Sequence, residues 1–275
     1  MRLGIFARTY VGTDLAGVLD AAANHGLNAV HFNLRCAGLA ALPGELDDTA
    51  RESIREAFRQ RGLEMIGVSG TFNAIHPDAE KRRADTERAV TLIRTARALG
   101  TSFVSLCTGT RDANDMWRAH LENQSAAAWR DLRQTLDRLL EVAHQENVLL
   151  GIEPEHANVV NSAQAARRLL DEVSSPNLRV ILDGANLVGA ECAGSMAPVL
   201  EEGFELLSPD IVQVHAKEIP PAGAGTIAAP GSGRLDWACY FDCMRRSGYE
   251  GPVVLHNLEE TDIRDAVSFL RQWVP

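Results

Sequence analysis

Eight short apolar runs alternate with longer helical patterns across 275 residues, without linkers or low-complexity stretches, and predict an α/β fold: a single (β/α)8 barrel, one domain over residues 1–275. The runs are near-continuously apolar, as in a parallel sheet covered on both faces. A doubly wound sheet usually has five or six strands and a Gly-rich first turn, whereas FARTYVGT (6–13) has no G-x-G-x-x-G.

The elements follow in order. LGIFA (3–7) is the first strand run, and Asp14 to His25 the first helix, with Thr13 at its start and Gly26 past its end. NAVHF (28–32) precedes a helix over Asp48–Gln60. EMIGVSG (64–70) precedes Ala79–Leu99, where Val90, Ile93, Ala96 and either Ala98 or Leu99 form an apolar stripe away from Arg88, Arg94 and Arg97. SFVSLC (102–107) leads to a helix over Ser125–Gln145, bounded by Ser125 and Asn147, and VLLGIE (148–153) to one over Ser162–Val173. LRVILD (178–183) leads to Met196–Leu207, IVQVH (211–215) to Asp236–Arg246 with Gly248 beyond it, and PVVLH (252–256) to Asp262–Trp273.

A composition 45% hydrophobic and 23% charged excludes collagen-like, disordered and disulfide-scaffold classes. The net charge of −10 argues against nucleic acid or anionic membrane as partner, and no apolar run approaches the roughly 18 residues of a membrane span. The N-terminal apolar stretch is too short for a signal segment. Five widely spaced cysteines without a C-x-x-C pair read as free thiols of a reducing cytosol, so a cytoplasmic location is expected; a homo-oligomer is allowed. Cys239 and Cys243, four apart, read as core-facing small residues.

In such a barrel the active site gathers at the C-terminal ends of the strands. Glu153, Asp183, His215 and His256 close four consecutive strands there. Two carboxylates and two imidazoles meeting at one point would repel or compete unless a divalent cation lay between them. This mixed O/N set suits one Mn, Co, Zn or Fe ion better than Mg.

The segments GIEPE (151–155), ILDGAN (181–186), VQVHAKE (212–218), GSGRLDW (231–237) and GPVVLHNLEE (251–260) resemble the xylose isomerase-like TIM barrels, the superfamily of sugar phosphate isomerases and epimerases, over essentially the whole chain. SGTFNAIHPD (69–78) with LCTGTRD (106–112) resembles one bacterial branch of it. The resemblance implies one metal held after strands five to eight by Glu, Asp, His and Glu. Glu153, Asp183 and His215 match the first three positions, while His256 replaces the fourth, a glutamate that serves as the second acid/base in ketose epimerases. Glu259 or Glu260 could reach back to supply it. The related apurinic-site endonucleases bind three metals; Asn186 here stands where their His follows the sixth-strand Asp, and their Asp-x-His pair is missing, so one metal is implied and DNA repair is not.

The expected activity is therefore a metal-dependent isomerase or epimerase acting on a small sugar, keto-sugar or polyol, with the metal stabilising an enediolate. A lyase or dehydratase on a keto-sugar or keto-inositol is the alternative toward which His256 shifts weight, and a non-catalytic sugar-binding barrel the second. Glu153 is the family's base and Glu155, two residues along, the local one. Lys217 would neutralise an enediolate oxygen or bind substrate, or else pair with Glu218 as a loop lysine. His76 binds substrate or bonds to backbone at a helix start; Arg8 and Arg111 are candidates for an anionic group, Arg111 being otherwise a surface residue; Asn186 is a substrate contact. Trp117, in DMWRAHLEN (115–123), offers a face for sugar stacking or packs on the rim. The Gly- and Pro-rich loop 219–236 would cover the substrate.

Overall fold

The computed structural model describes residues 1–11, 14–189, 194–223 and 225–274. Strands β1 (Arg2–Phe6), β2 (Ala29–Phe32), β3 (Glu64–Ser69), β4 (Phe103–Leu106), β5 (Leu149–Ile152), β6 (Leu178–Asp183), β7 (Ile211–Ala216) and β8 (Pro252–Leu255) close into one barrel in chain order. Every neighbouring pair is parallel, β8 closing on β1. The expected fold class is the observed one.

The helices are α1 (Leu15–Asn24), α2 (Asp48–Gln60), α3 (Ala79–Leu99), α4 (Ala126–Glu146), α5 (Ala163–Val173), α6 (Gly184–Val188), α7 (Ala197–Leu207), α8 (Trp237–Arg246) and α9 (Ile263–Leu270). Ser125 caps α4 by accepting from the Ala128 amide, and Asn147 ends it in the left-handed region at φ 53°. Asp236 caps α8 in the same way. Each cap contributes about 1 kcal/mol. Helix α1 is capped by Asp14; Thr13 lies outside the described residues, as does Cys192. The apolar stripe of α3 ends on buried Leu99, with Ala98 exposed. Burying each such Leu, Ile or Val contributes about 1.5–3 kcal/mol, so Ile93→Ala would cost about 3 kcal/mol.

Helix α6 is absent from the sequence expectation. It starts because the Asp183 carboxylate accepts from the Asn186 amide, which turns the chain out of β6 at once. The register shift between Val180 and Ile181 re-aims the end of β6, and Asp183 lands beside His215 in the ladder. Tyr240 of α8 clamps these two strand ends from outside. Its hydroxyl accepts from the Gly184 amide at 3.0 Å and lies 3.1 Å from Leu182 O and 3.2 Å from His215 O. A Cβ on Gly184 would come within 2.8 Å of the tyrosine ring, so glycine is required there.

The loop after β7 is organised by buried Glu218. Its two oxygens accept from the amides of Ile219, Gly231 and Leu235 and from the Trp237 indole. Ala224, within this loop, lies outside the described residues. Among the described residues no helix is long and apolar enough to cross a membrane, and Cys36, Cys107, Cys239 and Cys243 are free thiols. Cys243 is buried in the core as expected, and Cys239 is partly buried against it.

Candidate functional site

A cavity of about 450 Å³ opens at the C-terminal mouth of the barrel, walled by Glu153, Glu155, Asn186, His215 and His256 on the β5–β8 side and by Arg8, Arg35 and Trp117 opposite. Glu153 directly follows β5, Asp183 ends β6, His215 lies within β7 and His256 directly follows β8. Closing the barrel therefore brings together all four residues named from the strand ends.

One ligand atom each from Asp183, His215 and His256 lies within 4.8 Å of the others. His215 Nδ1 is 3.2 Å from Glu153 Oε1 and 3.6 Å from Asp183 Oδ2. The His215 and His256 rings stack with centroids 4.7 Å apart. Asp183 Oδ2 and His256 Nδ1 are buried and have no hydrogen-bond partner. Each such orphan costs about 1–3 kcal/mol, and native proteins rarely carry one without a use. Asp183, His215 and His256, with Glu153 at their edge, fit a divalent cation: the donors are carboxylate oxygens and imidazole nitrogens, and two are unspent.

The electrostatics agree. Burial works to raise the Asp183 carboxyl, but Lys217 and His215 outweigh it and hold it at about 2. Burial likewise disfavours charge on His215, but Glu153 and Asp183 lift that imidazole to about 10, so a positive charge is favoured at this spot. His256 is pushed well below its ordinary value by burial and by the positive His215 and Lys217, and stays neutral, the form that can ligate. Burial, then Glu153, pushes Glu155 up to about 7.

Asn186 links Lys217 to Glu153: Lys217 Nζ donates to its Oδ1 at 2.6 Å, and its Nδ2 donates to Glu153 Oε1 at 2.7 Å. Pairing of Lys217 with Glu218 is thereby corrected, since Glu218 is taken up by the loop amides and the Trp237 indole. Glu155 Oε2 accepts from Asn158 Nδ2 at 3.2 Å, and Asn158 Oδ1 in turn accepts from the Gly109 amide and the Cys107 thiol.

Arg8 and Trp117 line the cavity, both exposed. His76 does not join them. It is buried beside a neighbouring cleft, its Nε2 3.1 Å from Ala113 O and its Nδ1 accepting from the Asp78 amide just before α3. Arg111 is not at the surface; its guanidinium meets Asp131 at 2.7 Å and donates to Ile75 O. Glu260 accepts from the Val11 amide, away from the cavity wall. Arg35, Asn158, Gln213, Glu218 and Tyr240 escaped the sequence reading. Arg35 had a signal, standing just past β2 as Arg8 stands just past β1; the others act through contacts between distant parts of the chain.

A closed parallel barrel that gathers carboxylates and imidazoles at one mouth is the class these features define. Within it the chain belongs to the xylose isomerase-like TIM barrel family, whose model matches residues 19–273. A ketose 3-epimerase of Arthrobacter globiformis is 23% identical over 154 residues, 55% of this chain and about half (49%) of that protein. The solved 3-keto-D-glucoside 4-epimerase YcjR of E. coli, 17% identical, superposes with a TM-score of 0.76 over 99% of both chains. The probable 3-DHS dehydratase AsbF of Bacillus anthracis, 16% identical, gives 0.71 over 98% of this chain and 99% of its own. At these identities the structures show a common fold.

Proposed function

We propose that this protein is a divalent-metal-dependent isomerase or epimerase acting on a sugar, keto-sugar or polyol. The observation that carries the reading is the pair of buried, unpartnered atoms, Asp183 Oδ2 and His256 Nδ1, on residues that cluster with His215, each offering a ligand atom within 4.8 Å of the others. The similarity to a ketose 3-epimerase supports the substrate class.

Asp183, His215, His256 and Glu153 would hold one Mn, Co, Zn or Fe ion, which when bound polarises a substrate carbonyl and acidifies the adjacent C–H. Glu155 is the base: it faces the cavity, is free of the three-residue ligand cluster, and ionises near neutrality, where a carboxylate both accepts and returns a proton. Lys217 places positive charge beside the developing oxyanion, and Asn186 orients both Lys217 and Glu153. Arg8 and Trp117 hold the remote end of the substrate.

A second reading, loss of a β-hydroxyl after the same proton abstraction, is favoured by one observation: His256 stands at the strand end where a second carboxylate would serve epimerisation. The fold shared with a probable dehydratase is compatible with it.

Reconstitution with Mn, Co or Zn tests the metal, with about one equivalent per chain expected and less than ~0.3 sinking the assignment. Incubation of the loaded protein with ketoses and keto-sugars in deuterium oxide then reads proton abstraction as label uptake, and product mass separates isomerisation from loss of water.

A further inference from the structure

Beneath the candidate ligands a file of polar side chains crosses the barrel interior. Ser105 Oγ of β4 lies 3.0 Å from His31 Nε2 of β2, His31 Nδ1 lies 3.0 Å from Gln213 Oε1, and Gln213 Nε2 lies 3.0 Å from His215 Nε2, both from β7. All four residues are buried, and the rings of Phe6 and Phe103 flank His31. A barrel interior is ordinarily filled by branched apolar side chains, and buried polar groups are costly unless each is satisfied. The proposed chemistry uses neither His31 nor Gln213.

The donor and acceptor inventory leaves the file two directions. A neutral imidazole has one donor and one acceptor, a glutamine amide one end of each kind, and a hydroxyl can do either. In the direction the structure shows, the Gln213 amide nitrogen donates to an unprotonated His215 Nε2. That direction requires a neutral His215 with its ring proton on Nδ1, pointing at Glu153 and Asp183; a charged His215, protonated on both nitrogens, already requires the other. Run the other way, His215 Nε2–H donates to the Gln213 oxygen, the Gln213 amide donates to His31 Nδ1, and His31 Nε2–H donates to Ser105 Oγ. This second direction lets His215 Nδ1 be without a proton, facing Glu153 Oε1 and Asp183 Oδ2. A cation at Nδ1 requires that lone pair.

We propose that Gln213 is a positioning residue of the metal site: with His31 and Ser105 behind it, it holds the His215 proton on Nε2, so that a cation at Nδ1 displaces only the Nδ1 proton. The inference rests on the metal reading above. It gives a reason for a histidine and a glutamine in the barrel interior, and it places part of the metal affinity in residues that touch no metal.

The test uses the full-length protein with zinc or manganese as probe. In the zinc-loaded wild type, nitrogen-resolved NMR of the histidine rings should find the His31 proton on Nε2; a proton on Nδ1 overturns the proposal. Gln213→Leu should weaken manganese binding about 10- to 100-fold, read by calorimetry, whereas Gln213→Glu, which can only accept from His215, should retain it. Unchanged affinity in Gln213→Leu also overturns it. If Gln213→Leu does not fold, the zinc-loaded spectrum and Gln213→Glu decide, weakened binding by the latter counting against the proposal. A wild type that takes up no metal defeats the metal reading itself, and the inference with it, an outcome distinct from normal uptake with an indifferent Gln213.

Discussion

The ring of His256 lies on that of His215, centroids 4.7 Å apart and planes 18° from parallel, and its buried Nδ1 meets no partner. Two stacked imidazoles cannot both be charged at this distance, and the pair divides accordingly: His215 is held high by Glu153 and Asp183 while His256 is held low. His256→Ala should therefore lower metal affinity by about tenfold or more while relieving a buried orphan. Metal titration followed by calorimetry checks it, and an affinity equal to that of the wild type would remove His256 from the ligands.

Glu155→Gln should leave metal uptake intact and abolish deuterium exchange into substrate. As the proposed base Glu155 acts in its ionised form, so activity should rise with pH toward its ionisation, near 7 before a cation binds and lower once one is present. An acidic limb lying wholly above pH 8 would assign the proton transfer elsewhere.

His31 makes stability pH-dependent. Burial first of all, opposed by the Gln213 contact, lowers its value from 6.5 to about 4, so the unfolded chain binds a proton that the folded protein refuses. Because the folded value is depressed, its stability contribution is complete above 6.5 and is lost as pH falls toward 4, by about 3 kcal/mol at most. Denaturant unfolding of the metal-free protein between pH 4 and 7 measures this; His256 adds to the slope in the same sense, so the comparison is with His31→Gln, which should be distinctly flatter. Parallel curves would contradict it.

Tyr240→Phe removes the hydroxyl that satisfies the Gly184 amide at the ends of β6 and β7. A buried amide left unpaired costs about 1–3 kcal/mol, so the melting temperature should drop by several degrees. Metal affinity should fall with it, since Asp183 and His215 stand on those ends. A drop in stability with affinity unchanged would mean that the clamp does not reach the ligands.

Glu218→Gln turns one of two accepting oxygens into a donor that faces two N–H groups. Limited proteolysis should then cut within 219–236, and the fluorescence of Trp237 should shift. An equally protected loop would show that other contacts hold it.

Much of this was legible in the chain. Apolar runs and capped amphipathic segments depend on neighbours in sequence, so all eight strands were readable, and Glu153, Asp183, His215 and His256 were found because a parallel barrel makes strand ends equivalent. Helix α6 was hidden because its start depends on the Asp183 side chain rather than on periodicity. Gln213 and His31 sit inside apolar runs, where a lone polar residue is uninformative until its partner 182 positions away is known. Tyr240 and Glu218 are likewise ordinary in sequence and acquire their roles only when the chain closes. Arg111 was misplaced because the spacing to Asp131 spans a loop and a turn of α4, whereas for His76 the second of its two readings, bonding to backbone at a helix start, is the one the structure shows.

The two halves of the barrel contribute unequally to its mouth. The proposed ligands and the proposed base come from β5 to β8 and the residues just past them, whereas Arg8, Arg35 and Trp117 come from the β1, β2 and β4 connections. Substrate preference can thus drift through changes in the first half while the reactive half stays intact. On the proposed function, similar reactive halves can then serve different substrates, and it is the N-terminal loops that carry the more telling information about which.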